Sequence, residues 1–208
     1  MKAYIIAMDN EAKCLTDNLS GISEEMKFGR RVVRGEFKGE EVLLVVSGIG
    51  KSNAAAATQF AISAGATEVV NVGVAGGLDA SINVGDVYNV AEAVQYDFDL
   101  SAVNGTLVGT LDEYDTPYIP LECKGEGVII GSGDRFNDSD ADNDLLSQLG
   151  VTVRDMECAA VAHVCHRAGI PCRAIKCITD VRGKGAMTGQ YVDNLKRCLA
   201  ILTDHLKA

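Results

Sequence analysis

The sequence predicts an α/β fold whose parallel or mixed sheet is covered by helices on both faces. Three observations predict it. Short apolar runs alternate with helical patterns almost from end to end, as when strands and helices alternate along a chain. Gly is plentiful at 22 and Pro scarce at 3, a balance that suits tight strand–helix turns better than disorder. The 208 residues suffice for one sizeable core and are too few for two comfortable ones, so 1–208 is expected to form a single domain.

Ala3–Met8 reads as a buried strand and Asp9–Leu19 as a short helix. Arg31–Phe37 and Glu41–Ser47 look like a hairpin around Lys38-Gly39-Glu40. After the Gly48-Ile49-Gly50 turn, Ser52–Ala64 is an Ala-rich helix, small enough on its surface to pack closely on a sheet. Val69–Val74, Asp86–Val94, Gly127–Ser132 and Arg173–Thr179 read as further strands, and Asp155–Ala168 as a helix. At the C-terminus Met187, Tyr191, Leu195, Cys198, Leu202 and Leu206 recur every three or four residues, the stripe of a long amphipathic helix. Tyr96–Gly125 is the least regular stretch, of a length usually functional or interfacial.

Composition narrows the function. A formal net charge of −10 disfavours a nucleic-acid partner, which would need clustered Lys and Arg, and is compatible with a neutral small molecule. The apolar start MKAYIIAM is too short for a signal-peptide core and runs at once into Asp9, Asn10 and Glu11. No apolar run approaches the roughly 20 residues that span a bilayer. The seven Cys show no paired spacing, and Cys158, Cys165, Cys172 and Cys177 sit in apolar segments as small buried hydrophobes. Reduced thiols point to the cytoplasm, and no membrane partner is expected.

Several motifs come close and fail. Gly50-Lys51-Ser52 follows a strand and opens a helix like a phosphate-binding loop, but Val45 stands where that motif needs a glycine. Gly73-Val74-Ala75-Gly76-Gly77 lacks the dinucleotide spacing, yet glycines at a strand end permit a ligand to approach the backbone. Asp138, Asp140, Asp142 and Asp144 resemble the start of a calcium loop; Asn143 replaces its turning glycine and Leu149 its bidentate Glu. Acidic residues in a first helical turn explain them better. His163 and His166 lack a third ligand. No metal and no cofactor is expected.

Three carboxylates remain. Glu11 follows the first strand at a helix start. Glu157 shares a helical stripe with Val161, Val164, Cys165 and Ala168, which puts a carboxylate on a buried face. Such a group needs a partner, and a ligand is one candidate. Asp180 follows the last apolar strand, and ligands of α/β sheets gather at the carboxyl ends of strands. Each also has a structural reading: Glu11 as a solvated helix-start charge, Asp180 as a cap, Glu157 as half of an ion pair with Arg173 or Lys176. The residues alone reach an enzyme-like α/β domain.

The ordered set Ala7-Met8-Asp9-Asn10-Glu11, Ser47-Gly48-Ile49-Gly50-Lys51, Gly73-Val74-Ala75-Gly76-Gly77-Leu78, Val84-Gly85-Asp86, Ser132-Gly133-Asp134-Arg135-Phe136, Asp155-Met156-Glu157 and Ile178-Thr179-Asp180 resembles the methylthioadenosine/S-adenosylhomocysteine nucleosidases of the nucleoside phosphorylase superfamily. The resemblance implies a three-layer α/β/α sandwich with a mixed central sheet and a small nucleoside as substrate. It also implies a homodimer, with Tyr96–Gly125 near the interface. It gives Asp180 the role of general acid at purine N7, because the purine anion is a poor leaving group. Glu11 matches the residue that activates water, and Glu157 the carboxylate that holds the ribose hydroxyls with Met156 packed on the sugar. Phe136 matches the ring that stacks on the base, and Asn137 the residue whose backbone reads the base edge. Met8, Ile49, Val74, Ala75 and Gly76 are expected around the substrate, and Lys176 falls where the family has Arg near the acid and the ribose.

Hydrolysis of an adenine nucleoside is the expected reaction. A phosphate acceptor wants fixed Arg donors, and the superfamily's phosphorylases place them where this chain has Asn10–Glu11 and Val72. Arg30, Arg31 or Arg34 from a neighbouring subunit would allow phosphorolysis, the alternative within enzymes; a non-catalytic nucleoside-binding relative is the alternative outside them. The segment between Asp86 and Ser132 is shorter than in typical members, with Tyr96–Val103 as the remnant of a part that shapes the 5′ pocket. Met187 and Tyr191 are the candidates for a missing lid phenylalanine.

Overall fold

The computed structural model describes residues 1–123, 125–136 and 139–208. The elements run β1 (Lys2–Ile6), α1 (Asp9–Thr16), β2 (Ser20–Lys27), β3 (Arg30–Phe37), β4 (Glu40–Val46), α2 (Lys51–Ser63) and β5 (Glu68–Gly77). They continue as β6 (Val87–Val94), α3 (Ser101–Asn104), β7 (Ile119–Pro120), β8 (Val128–Ser132), α4 (Asp140–Gln148), β9 (Val153–Asp155), α5 (Cys158–Ala168), β10 (Cys172–Val181) and α6 (Met187–Lys207).

The strands form one mixed sheet flanked by helices, the α/β class that the sequence predicts. Alternation along β1 assigns its two faces. Ala3 and Ile5 join Ala54, Ala57 and Ala61 of α2 and the apolar side of α5 in one core. Tyr4 and Ile6 join Ala12 and Leu15 of α1 and Cys198, Leu202 and Leu206 of α6 in the other. The alanines recur three and four apart on α2, so the helix sets its backbone close to the strands.

Beyond this sandwich, half of the sheet closes on itself. β5 pairs in parallel with β1 near its start and with β10 along its length, and its last two residues, Gly76 and Gly77, pair with β9. β10 pairs with β6, β6 with β8 and β8 with β9, completing a ring of five strands. Apolar periodicity does not reveal this closure, because β9 is three residues long. β2 also escapes the periodicity: all eight of its residues are exposed, so it carries no alternation to read.

Other expectations change in detail. α5 starts at Cys158, and Glu157 is its N-cap residue; Val164 is half-buried and Ala168 exposed. Glu157 is therefore buried by its place before the helix, not by a stripe along it. Asp180 lies inside β10, at a register shift against β5. The irregular 96–125 stretch is anchored by Tyr96, which packs on Leu146, Leu149 and Val151. None of the described residues of 86–132 lines the cavity at the carboxyl ends of β1, β5 and β10. Among the described residues, no helix is long and apolar enough to cross a membrane.

Candidate active site

A cavity of about 360 Å³ opens at the carboxyl ends of β1, β5 and β10. Its walls include Met8 and Glu11 from the β1–α1 corner, Ile49, then Val74, Ala75 and Gly76 of β5. Phe136, Arg154, Met156, Glu157, Asp180, Met187 and Tyr191 complete most of the remainder. The fold thus gathers Glu11, Glu157 and Asp180, which lie far apart in sequence. Asn137 lies outside the described residues.

Glu11 is 2% exposed. Its Oε1 accepts the N–H of Val74 at 2.9 Å, and its Oε2 that of Met8 at 3.1 Å. Burial raises its pKa, while these hydrogen bonds and the Lys176 charge pull the other way. Gly73 makes the approach possible: a Cβ there would stand 2.9 Å from Glu11 Oε1. Gly76 does the same for the acid on the neighbouring strand, since its Cβ would stand 2.8 Å from Asp180 Oδ2. The glycine-rich turn makes room for two carboxylates.

Asp180 is 2% exposed, and the Thr179 hydroxyl lies 2.8 Å from its Oδ1 and 3.4 Å from the Ala75 carbonyl. Glu157 accepts the Gly50 N–H at 2.8 Å on Oε1. Burial first, then the Asp155 charge, push Glu157 up to about 7, against the opposing pull of Lys176 and the Gly50 N–H. The Lys51 N–H donates to Asp134 at 2.8 Å, so two carboxylates already occupy the N-terminus of α2. This is the physical counterpart of the failed phosphate-loop motif.

Lys176 is placed differently from the expectation. It lies beneath the wall of the cavity, not on it, with Nζ 2.8 Å from Asp155 Oδ2 and 1% of the residue exposed. Burial alone would lower its pKa, but Asp155, Cys158 and Glu157 outweigh it and hold it above the ordinary lysine value. Asp155, not Glu157, takes the ion pair, and it also accepts the Cys158 N–H and the Ser132 hydroxyl. The Asp155–Lys176 pair thus fixes the turn that carries Met156 and Glu157.

Phe136 and Tyr191 meet edge to face with ring centroids 5.6 Å apart and both line the cavity. Met187 and Thr188 bring the first turn of α6 to the same wall. Gln190 ties that turn to β10 by accepting the Val181 N–H and donating to the Val181 carbonyl, each at 3.0 Å. Arg31 bonds Glu24 at 2.8 Å and Asp9 at 3.3 Å. His163 bonds the Tyr114 hydroxyl at 2.9 Å. Among the described residues, no group of three or more His, Cys, Asp or Glu is arranged to hold a metal ion.

Sequence reasoning passed over Arg154, which is 6% exposed and lines the cavity. Its signal was available: one cation in the run Val151-Thr152-Val153-Arg154, directly before Asp155-Met156-Glu157.

The family model described as the phosphorylase superfamily matches residues 2–207. A 5′-methylthioadenosine/S-adenosylhomocysteine nucleosidase from Bacillus thuringiensis (strain Al Hakam) is 35% identical over 201 residues, covering 88% of this chain and 86% of its own. The nucleosidase of that name from Neisseria meningitidis, solved with methylthio-immucillin-A, is similar at a TM-score of 0.88 and 27% identity, covering 99% of this chain and 96% of its own. Futalosine hydrolase of Helicobacter pylori shares the fold at a TM-score of 0.90 and 24% identity, over 99% of this chain and 95% of its own. With its cavity and carboxylates in place, the chain belongs to the 5′-methylthioadenosine/S-adenosylhomocysteine nucleosidase family of enzymes, within the phosphorylase superfamily.

Proposed function

We propose that the chain hydrolyses the N-glycosidic bond of a purine nucleoside, and that methylthioadenosine and S-adenosylhomocysteine, which name its relatives, are the first substrates to try. The observation that carries this reading is the pairing of Glu11 with Gly73 and of Asp180 with Gly76, which sets two carboxylates on one cavity. Asp180, in its acid form, donates a proton to N7 as the C1′–N9 bond breaks and its electron pair moves onto the purine. Water attacks C1′ and loses its proton to Glu11, whose raised pKa suits a base. Each Glu11 oxygen accepts one backbone N–H and keeps a lone pair for water. Glu157 has one oxygen on Gly50 and the other available for the ribose hydroxyls. Water is favoured over phosphate because the acceptor side carries Glu11. Of the two arginines on the cavity wall, Arg135 pairs with Asp142 at 3.0 Å and Arg154 stands beside Asp180, opposite Gly76.

The test is incubation with methylthioadenosine, S-adenosylhomocysteine, adenosine and inosine, with and without phosphate, following the free base and the sugar product. Phosphate-independent base release with free sugar supports hydrolysis. A sugar 1-phosphate as product would replace it with phosphorolysis. Asp180→Asn is expected to lower turnover at least ~10²-fold, and Glu11→Gln to retain ligand binding while stopping water attack. Near-normal turnover in either variant would remove that residue from the mechanism.

A further inference from the structure

The hydrolytic mechanism uses three carboxylates and gives the cation beside them no role. Arg154 lies on β9, and its place follows from register. Gly76 of β5 pairs with Arg154 on one side and with Asp180 of β10 on the other. Residues paired across neighbouring strands share a face of the sheet, so both side chains flank the same glycine. A Cβ at Gly76 would stand 2.8 Å from Asp180 Oδ2 and 3.6 Å from Arg154 Cγ. Acid and guanidinium therefore belong to one wall of the cavity.

Arg154 is buried without adequate acceptors. Its Nη1 has no hydrogen-bond partner among the described residues. Its Nη2 faces the Met187 sulfur at 2.6 Å, and a thioether is a weak acceptor. A buried N–H without an acceptor is costly, more so on a charged group. The side chain is thus set to receive an acceptor from whatever fills the cavity.

We infer that Arg154 reads the base, and that the preferred base carries a carbonyl oxygen at position 6: the substrates are 6-oxopurine nucleosides rather than the adenine nucleosides of the relatives' names. This rests on the reading above in which Asp180 protonates N7. In a purine, N7 and the substituent on C6 lie side by side on one edge, so a group beside Asp180 meets that substituent. Guanidinium offers five N–H donors and no acceptor. It hydrogen-bonds a carbonyl oxygen, but it meets the amino group of adenine donor against donor. Sites built to hydrogen-bond one substituent discriminate strongly against an analogue that leaves the buried group unpaired. As the glycosidic bond breaks, charge moving onto the purine reaches O6, where the cation also stabilises the leaving group.

Calorimetric titration of hypoxanthine and adenine into the wild-type protein and Arg154→Met tests the base assignment without turnover. Initial rates on 5′-methylthioinosine and 5′-methylthioadenosine test it with turnover. We expect hypoxanthine to bind wild type at least ~10-fold more tightly than adenine, kcat/KM to follow the same order, and Arg154→Met to remove the preference. A wild-type preference for adenine, a hypoxanthine preference unchanged in Arg154→Met, or no binding of either base would overturn it. The wild-type comparison needs no folded variant. Arg154-dependent hypoxanthine binding with no cleavage of any nucleoside would sink the hydrolytic reading and leave the base assignment standing. Cleavage of adenine nucleosides in preference to 6-oxo ones would do the reverse.

Discussion

Gly73 and Gly76 sit three residues apart on β5, and each leaves the space that a carboxylate oxygen occupies. Gly76→Ala is conformationally tolerable but puts a methyl group 2.8 Å from Asp180 Oδ2. The acid must move, and a displacement near 1 Å costs about 10²-fold in rate. Steady-state kinetics should show that loss while the unfolding midpoint changes little. Glu157 makes a pH-dependent contribution. Its folded pKa of about 7 lies above the ordinary 4.5, so its contribution to stability is full below the ordinary value and is lost as pH rises through about 7. Urea midpoints of wild type should fall relative to Glu157→Gln between about pH 5 and 8, while nucleoside affinity rises as the ionised carboxylate becomes available. Equal midpoints at both pH values would refute the assignment. Glu11 and Asp180 are legible in the sequence because each follows an apolar strand, whereas Glu157 stands out there by a helical stripe that the structure replaces with an N-cap position. Arg154 shows locally only as one cation in a short run, and its place beside Asp180 is not legible, because it depends on pairing across two strands.

At the scale of elements, the turn between β9 and α5 is held from below. Lys176 on β10 and Asp155 on β9 are both buried and pair at 2.8 Å. Removing one partner leaves the other charge unpaired in the interior. Lys176→Met is therefore expected to destabilise by about 3 kcal/mol or more, read by denaturant unfolding. Its loss of activity should follow the displaced Glu157. A stability within about 0.5 kcal/mol of wild type would show that the pair carries no weight. The long elements are legible from their periodicity: the β3–β4 hairpin, α2 with its alanine stripe, and α6 with its apolar residues every three or four positions. The start of α5 is not, because Asp155, Met156 and Glu157 read equally well as a helical first turn. What sets them apart is the Asp155 carboxylate accepting the Cys158 N–H at 2.9 Å and the non-helical backbone of Glu157.

At the scale of the whole molecule, the chain leaves Met26, Phe28, Val103 and Leu107 well exposed, side chains that a second copy could cover. We propose that the protein works as a homodimer; light scattering at micromolar concentration should give twice the 22.0 kDa chain mass, and the single mass would refute it. The alternation of strands and helices makes the layered architecture readable from sequence. The ring closure is not, since it depends on which distant strands meet.

That closure has a consequence for motion. Gly76 and Gly77 are bonded to β9 on one side and to β10 on the other, so this end of β5 has no free edge from which to fray. The floor of the cavity is clamped like the keystone of an arch. Among the described residues, admission of a substrate and departure of its products then fall to other parts of the wall, such as the edge-to-face contact of Phe136 with Tyr191 and the first turn of α6. In deuterium exchange the amides of Gly76 and Gly77 should be among the last to open, and those at the start of α6 among the first. A molecule built this way breathes through its roof and keeps its chemistry on bedrock.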